Sequence, residues 1–350
     1  MAQINKSSDY FNTVTWTGDD TTSRAISGVG FQPDLTWIKG RSLSVSHLLQ
    51  DAVRGTGGSY TLKSDATAGD GTNTQGNVSA FSADGFTVAE GSDVDHTRAV
   101  NNGSETYVSW NWLGANGTAS NTDGSITSTV SANTTNGFSI VSYTGNNTAG
   151  ATVGHGLSQE PDVMIFKNRS DGTTSWCVYH SAKGTSGTGR LNTTDSFGDT
   201  TFITTTPSSS VFTLTNATIV NGSGNNMIAY CFAEKKGFSK FGSYTGNGNA
   251  DGTFIYLGFK PAFVLVKNTS RSQDWVIHDT KRDLTNLNTD ILRPNLSDAE
   301  ATFGAVDLLS NGFKARSSTA YLNYSGDTFI YMAFAENPLV GTNNIPATAR

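Results

Sequence analysis

Residues able to carry acid-base or metal chemistry are scattered thinly along the chain. His278 stands beside Asp279, and a histidine next to a carboxylate could form half of an acid-base pair. Both belong to a stretch typical of a strand, where neighbouring side chains point to opposite faces, so they cannot readily share a substrate. Asp51, His180 and Asp279 occupy equivalent positions in three similar stretches. Because the residue type changes among them, these positions do not predict a repeated catalytic or metal site.

The densest carboxylates lie in segments rich in Gly, Ser and Thr. They are Asp19-Asp20 and the stretch from Asp93 to Asp95. Such segments predict solvated turn carboxylates, or at most a loosely bound Ca²⁺. The sequence contains no GxSxG elbow, P-loop, dinucleotide fingerprint or HExxH motif. We therefore expect no enzyme activity, no cofactor and no metal site.

Aromatic side chains are the stronger candidates for ligand contact, because indole rings can stack on sugars. Most of the tryptophans fall in apolar stretches and predict core packing. Trp176 and Trp275, in "SWCVYH" and "DWVIHD", remain as candidate glycan contacts. The aligned lysines Lys39, Lys167 and Lys267 each close an apolar run, which predicts the exit of a strand into solvent.

Composition excludes several classes of protein. Charged residues make up 15% of the chain and the formal net charge is -6, without a cluster of Lys and Arg that could neutralise phosphates, so no nucleic-acid partner is expected. No apolar stretch is long enough for a membrane helix, and the first residues lack the pattern of a signal peptide. We expect a soluble protein made in a cytoplasm. Cys177 and Cys231 predict small core residues, with a disulfide between them left open.

The elements that would position these residues occur three times. Several landmarks recur in the same order at intervals of roughly 100 to 130 residues. They are the aromatic-Thr-Gly turns at Trp16, Tyr143 and Tyr244, the prolines Pro33, Pro161 and Pro261, and the closing aromatic residues Trp112, Phe232 and Phe334. This period is too long for a solenoid repeat and indicates three small domains in tandem.

Each copy reads as a set of strands. Short apolar runs such as Val163–Phe166 and Phe263–Val266 are bounded by Pro and polar residues, which predicts strands covered on both faces. The best helix candidate, residues 279–292, is weak. The fold class predicted is all-β, with three tandem antiparallel β-sandwich domains of jelly-roll or lectin-like type. The predicted boundaries are 1–114, 138–236 and 237–338 for the domains, 115–137 for a linker or extra strand, and 339–350 for a C-terminal tail.

Several phrases resemble a repeated domain found in virion proteins of marine tailed phages, commonly labelled tail-fibre or structural proteins. These phrases are "INKSSDYFNTVTWTGDD", "GVGFQPDLTWIKGRS", and "DGSITSTVSANTTNGFSIVSYTG" followed by "ATVGHGL". The resemblance extends from about residue 4 to residue 338. It implies a component of a phage particle, and it supplies no catalytic residues. The chain lacks the heptad shaft or collagen-like repeat of a typical fibre.

The function expected is that of a non-enzymatic virion protein, a tail-fibre or head-fibre component that contacts a host surface glycan or receptor. It would be made in the host bacterial cytoplasm and then reside in the virion. Other virion proteins are expected partners, together with further copies of the chain, as a trimer. The alternatives are a capsid decoration protein, a polysaccharide depolymerase and a secreted adhesin.

Overall fold

Antiparallel strands make up nearly all of the regular structure in the computed structural model, which describes residues 4–71, 73–93, 98–198, 200 and 202–338. The all-β class and the sandwich arrangement are therefore confirmed. The tail 339–350 and most of the acidic stretch from Asp93 to Asp95 lie outside the described residues.

The first copy contains an inner sheet of order β1-β8-β3-β4-β5 and an outer sheet of order β2-β7-β6. Short 3-10 helices span Ser7–Asp9 and Gly58–Tyr60. The strands are β1 (Phe11–Thr17), β2 (Ser23–Ser27), β3 (Leu35–Gly40), β4 (Leu48–Asp51), β5 (Leu62–Lys63), β6 (Asn77–Ser82), β7 (Gly85–Ala89) and β8 (Thr106–Trp112).

The second copy has the same plan with a wider inner sheet, of order β15-β14-β13-β17-β11-β10-β9, and an outer pair formed by β12 and β16. One 3-10 helix spans Gly184–Ser186. The elements are β9 (Ala119–Asn121), β10 (Ser128–Asn133), β11 (Phe138–Thr144), β12 (Thr152–Gly154), β13 (Val163–Asn168), β14 (Cys177–His180), β15 (Gly189–Arg190), β16 (Val211–Thr213), α1 (Thr218–Asn221) and β17 (Asn226–Phe232).

The third copy pairs an inner sheet of order β18-β25-β20-β21 with an outer sheet of order β19-β24-β23-β22. The weak helix candidate at residues 279–292 contributes no helix, because it turns after β21 and enters β22. The strands are β18 (Ser239–Thr245), β19 (Phe254–Tyr256), β20 (Phe259–Asn268), β21 (Trp275–Asp279), β22 (Asn288–Ile291), β23 (Ala301–Leu309), β24 (Gly312–Ala315) and β25 (Thr328–Pro338).

The segment 115–137 is ordered, as its content of Thr, Ile and Val allows. Strand β10 pairs with β11 along its whole length, and β9 adds to the free edge of β10. Of the two predictions for this segment, the extra strand is the one that the structure supports. The segment widens the inner sheet of the second copy.

Each inner sheet is covered on both faces, which explains its continuous apolar runs. Along β20, Val264 and Val266 face the outer sheet of their own copy, whereas Phe263 and Leu265 face a core that all three copies share. Alternate side chains of one strand therefore belong to different cores, as the two-residue period of a strand requires. The prediction of strands buried on both faces is confirmed.

The shared core is centred on three equivalent aromatic residues, Trp112, Phe232 and Phe334. Their ring centroids lie 6.1 Å apart for Trp112 and Phe232, 5.9 Å for Phe232 and Phe334, and 5.6 Å for Trp112 and Phe334. All three side chains are buried, and the shared core draws residues from every copy. We call this set the aromatic triangle. Its nearly equal sides mark a pseudo-threefold axis through the chain.

Contacts between neighbouring copies close a ring around this axis. The Arg169 guanidinium of the second copy bonds the Asp70 carboxylate of the first (2.7 Å), and Arg41 of the first copy bonds Glu300 of the third (2.7 Å). The third copy meets the second where the backbone N–H of Gln273 donates to the Thr194 carbonyl at 2.8 Å. Each copy thus docks head-to-tail on the next, and the three contacts form a closed cycle.

The shared core predicts that damage at the aromatic triangle weakens the whole chain. Phe334→Ala should lower the free energy of unfolding by about 3 to 5 kcal/mol, because it leaves a cavity among fully buried rings. Urea denaturation followed by tryptophan fluorescence measures the change, and Tyr60→Ala, at a ring that is 40% exposed, is the control. Separate transitions, with only the third copy weakened, would contradict a shared core.

Candidate functional site

Trp176 and Trp275, the candidate glycan contacts, lie inside the interfaces between copies. Trp176 is 0% exposed and Trp275 is 3% exposed. The indole Nε1 of Trp176 donates to the Lys63 carbonyl at 2.8 Å, and that of Trp275 donates to the Arg190 carbonyl at 2.9 Å. Their rings bind neighbouring copies and cannot stack on a sugar. The prediction of glycan contacts is wrong because the sequence pattern of a strand does not distinguish a tryptophan that faces another copy from one that faces solvent.

His47 takes the corresponding place in the first copy. Its Nε2 lies 3.1 Å from the Arg293 carbonyl of the third copy, and its Nδ1 accepts from the Trp37 indole at 3.0 Å. His47, Trp176 and Trp275 therefore perform one repeated structural task. Each reaches the backbone of the adjacent copy.

The aligned residues Asp51, His180 and Asp279 also lie at these interfaces. Asp51 accepts from the Tyr230 hydroxyl at 2.8 Å, and Asp279 accepts from the Trp110 indole at 3.0 Å. His180 Nε2 lies 3.1 Å from the Tyr331 carbonyl. The contact from Asp51 joins the first copy to the second, that from His180 joins the second to the third, and that from Asp279 joins the third to the first. The three positions hold the ring together.

Buried ion pairs accompany the two aspartates. Arg54 Nε lies 2.5 Å from an Asp51 carboxylate oxygen, and Arg282 Nε lies 2.5 Å from the matching oxygen of Asp279. Burial raises the pKa of Asp279, but the Arg282 guanidinium outweighs it and leaves that pKa below its usual value. Burial lowers the pKa of His180 to about 4. Near neutral pH, Asp279 therefore stays ionised and His180 stays neutral.

His278 and Asp279 point to opposite faces of β21, as expected. His278 Nδ1 contacts the Asn288 side chain at 2.9 Å, whereas Asp279 faces Arg282 and Trp110. Both side chains are fully buried. They do not form an acid-base pair.

The turn carboxylate of Asp19 binds its own loop and the loop that contains Asn101. Asp19 accepts from the Thr21 hydroxyl at 2.6 Å and from the Asn101 side chain at 2.8 Å. These hydrogen bonds, led by that from Thr21, lower the pKa of Asp19 to about 2. In the part of the chain that the structure describes, no group of three or more His, Cys, Asp or Glu side chains could hold a metal ion.

Cys177 and Cys231 are buried free thiols. They lie on β14 and β17, with β13 between the two strands. Burial raises the pKa of Cys177 to about 12. Both therefore act as small core residues, as predicted, and the reactive thiolate is disfavoured.

The aligned lysines are buried rather than solvent-exposed, which corrects the sequence prediction. Lys39, Lys167 and Lys267 are each 0% exposed. Backbone carbonyls surround each ammonium: those of Val45 and Ser297 for Lys39, Asn168 and Thr174 for Lys167, and Thr194 and Gln273 for Lys267. Irregular loop backbone has carbonyls to satisfy, and a buried ammonium with several donors does so.

Buried asparagines hold the turns at the other end of the sheets, and the sequence reasoning missed them. Asn101, Asn221 and Asn323 are each 0% exposed and sit at the same distance before the closing aromatic residue of their copy. The Asn221 amide nitrogen donates to the Thr148 carbonyl at 3.0 Å, and that of Asn323 donates to the Asn249 carbonyl at 2.7 Å. Their fixed spacing was the available signal.

Large aromatic side chains reach solvent in the third copy. Phe254 is 44% exposed and Tyr256 is 54% exposed, both on the edge strand β19, with Ile255 between them in the core. The corresponding positions of the other copies carry small residues, Thr152 and Gly154 on β12 and Ala25 and Ser27 on β2. This surface therefore breaks the threefold repetition.

Neighbouring strands extend this surface in two rows. Phe254 pairs with Lys314, which pairs with Asp307; Tyr256 pairs with Gly312, which pairs with Leu309. The Phe254 ring leans across Gly312, where an added Cβ would lie 3.2 Å from Phe254 Cε2. We call the surface formed by these two rows and the adjoining Lys240, Asp251 and Arg316 the aromatic face.

The charges of the aromatic face bind one another. Lys314 lies 2.6 Å from an oxygen of Asp251, and Arg316 lies 2.9 Å from the same oxygen and 3.6 Å from Asp307. The Lys240 ammonium lies 5.6 Å from the centre of the Tyr256 ring. Two exposed rings are thus framed by hydrogen-bonding groups in mutual ion pairs.

Residues 6–338 match the family described as a domain of unknown function, DUF7483. The chain belongs to this family. A comparison with curated proteins finds no match. In this DUF7483 chain, the described residues contain no helix long and apolar enough to cross a membrane.

The buried lysines predict an unusual pH dependence for the DUF7483 chain. Burial lowers the pKa of Lys267 to about 8, so the folded protein releases this proton before the unfolded chain does. Because the unfolded state then binds more protons, this lysine's contribution to stability rises with pH above about 8.

The test compares the parent with Lys267→Met by urea denaturation at about pH 7 and about pH 9.5. The free energy of unfolding of the parent, relative to the variant, should rise by about 1 to 2 kcal/mol over that interval. Cys and Tyr residues titrate in both proteins, so their effect on the free energy of unfolding cancels when the variant is subtracted from the parent. A difference that stays constant with pH would contradict a buried lysine with a lowered pKa.

Proposed function

We propose that the protein is a non-enzymatic virion structural protein of a tailed phage, a tail-fibre or head-fibre component that contributes to host-surface attachment. The observation that carries this proposal is the aromatic face, an exposed apolar and polar surface that, within the described residues, is present on the outer sheet of the third copy and on neither of the other outer sheets. The resemblance of the chain to virion proteins supports the particle as its location.

The packing of the fold suits a particle surface. Side chains of the shared core come from every copy, and interface hydrogen bonds join each copy to the next. Exposed rings on such a scaffold lose little conformational freedom on binding, because they have few rotatable bonds and a fixed backbone. Many copies on one particle would also convert weak contacts into strong attachment through effective concentration.

The two ends of the fold differ in a way that suggests an orientation. Ile4 belongs to the shared core, and β25 continues past Phe334 to Pro338, so the first and last described residues lie at the end with the aromatic triangle. The Thr-Gly turns lie at the opposite end, because Thr17 pairs with Thr106 at the far end of β1 from Phe11 and Trp112. In the proposal, the triangle end contacts other virion proteins and the turns face outward.

The trimer expected from the sequence stays a prediction. One chain already places three sandwiches around a common axis. A single chain could therefore sit on a threefold axis of the particle without further copies.

The test is adsorption of phage particles that carry Phe254→Ala and Tyr256→Ala together. The equilibrium amount of particles bound to host cells should fall about tenfold or more, as expected if about 1.4 kcal/mol of contact energy is lost. Particles with Tyr60→Ala, which removes an exposed ring from the first copy, should adsorb normally.

Other outcomes would decide against the proposal. Normal adsorption by stable particles that carry the double variant would remove the aromatic face from attachment. Density for the protein lying flat on the capsid, with its turns held by shell subunits, would favour the decoration protein instead. Release of reducing sugar from the host envelope by the purified protein would indicate a depolymerase.

A further inference from the structure

The aromatic face offers two stacking positions in line. Phe254 and Tyr256 are alternate residues of one strand, so their side chains leave the same side of the sheet roughly 7 Å apart. A ring face is apolar, whereas the Tyr256 hydroxyl and the surrounding charged groups can form hydrogen bonds. A chain of sugar units presents the same combination of apolar C–H faces and hydroxyls. Two positions suit an oligosaccharide better than a single sugar.

The charges around the rings balance one another. The cations are Lys240, Lys314 and Arg316, and the carboxylates near them are Glu234, Asp251 and Asp307. Asp251 is shared by Lys314 and Arg316, Asp307 contacts Arg316, and Lys240 acts electrostatically on Glu234. The whole chain carries a net charge of -6. Neither the face nor the chain therefore attracts a polyanion.

The same pairs argue against a protein partner. A stable protein interface requires a dry centre depleted of charge. Here Lys314 and Asp307 follow Phe254 in the same row across the sheet, so a protein covering the rings would also desolvate these charges, at a cost. A polysaccharide would leave none of these groups without a hydrogen-bond partner, because its hydroxyls can donate to the carboxylates and accept from Lys314 and Arg316.

From these observations we infer that the aromatic face binds an uncharged polysaccharide, with sugar rings stacked on Phe254 and Tyr256. This inference rests on the proposed function and names the class of ligand at the same surface. Because no phosphate or carboxylate of the ligand is neutralised, binding should depend little on salt. Affinity at one face should be modest, since the contact area is small.

The experiment is affinity electrophoresis of the purified full-length protein through gels that contain one polysaccharide. The neutral probes are dextran, yeast mannan, galactomannan and laminarin, and the anionic probe is polygalacturonate. We expect retardation by at least one neutral probe and none by polygalacturonate. Isothermal titration with the retained probe at about 0.1 M and about 0.5 M salt should give dissociation constants within about twofold of each other.

Substitutions test whether the polysaccharide binds at the aromatic face. Phe254→Ala and Tyr256→Ala together should weaken binding of the retained probe at least tenfold, and Tyr60→Ala should leave it unchanged. Unfolding measurements on each variant separate loss of binding from loss of fold. Since both rings are largely exposed, the double variant should remain folded.

Three results would overturn the inference: retention by polygalacturonate alone, loss of binding at the higher salt, or no retention by any neutral probe. Each is distinguishable from failure of the proposed function. If the double variant still reduces phage adsorption, attachment through the aromatic face stands while its ligand is of another class. If adsorption is normal, the proposed function fails whatever the gels show.

Discussion

The contact among Trp112, Phe232 and Phe334 is the constraint on which the rest of the fold depends. Each ring lies on the closing strand of its own sandwich, yet each packs against the other two at 5.6 to 6.1 Å. A sandwich taken alone would expose this face of its inner sheet, and burial of that apolar surface is the main gain from bringing the copies together. The polar contacts at the rim then set the angle between neighbouring copies. They direct each interface to one partner and so close the ring.

Much of this architecture could be predicted from residues that recur. The prolines and closing aromatic residues mark three similar stretches in the sequence, and the short apolar runs indicate the strands. These patterns do not show what packs against each face of an inner sheet. A continuous apolar run such as Phe263–Val266 predicts burial on both sides, but the second cover is another copy of the same fold and not a sheet of the same copy. The assembly around an axis was therefore missed.

The failures at single residues have the same origin. Trp176 and Trp275 are candidate sugar contacts in the sequence because indole rings can stack on sugars. Lys39, Lys167 and Lys267 are predicted to exit into solvent because each closes an apolar run. In the closed ring, those positions face a neighbouring copy or the carbonyls of a folded loop. Conversely, Phe254 and Tyr256 read as ordinary strand residues, although they are exposed. Only comparison with Thr152 and Gly154 in the equivalent strand shows that they depart from the repeat.

The proposed function depends on two features, the core shared by the three copies and the surface that differs in the third copy. Threefold repetition provides a rigid scaffold, and a surface that differs in one copy can evolve for binding without disturbing the core. Amide hydrogen exchange on the intact protein tests the shared core most directly. The slowest amides of β8, β17 and β25 should exchange with the same free energy of opening, because all three strands depend on the aromatic triangle. Slow amides of one copy that open at a much lower free energy than those of the others would contradict the account, since they would show sandwiches that unfold independently.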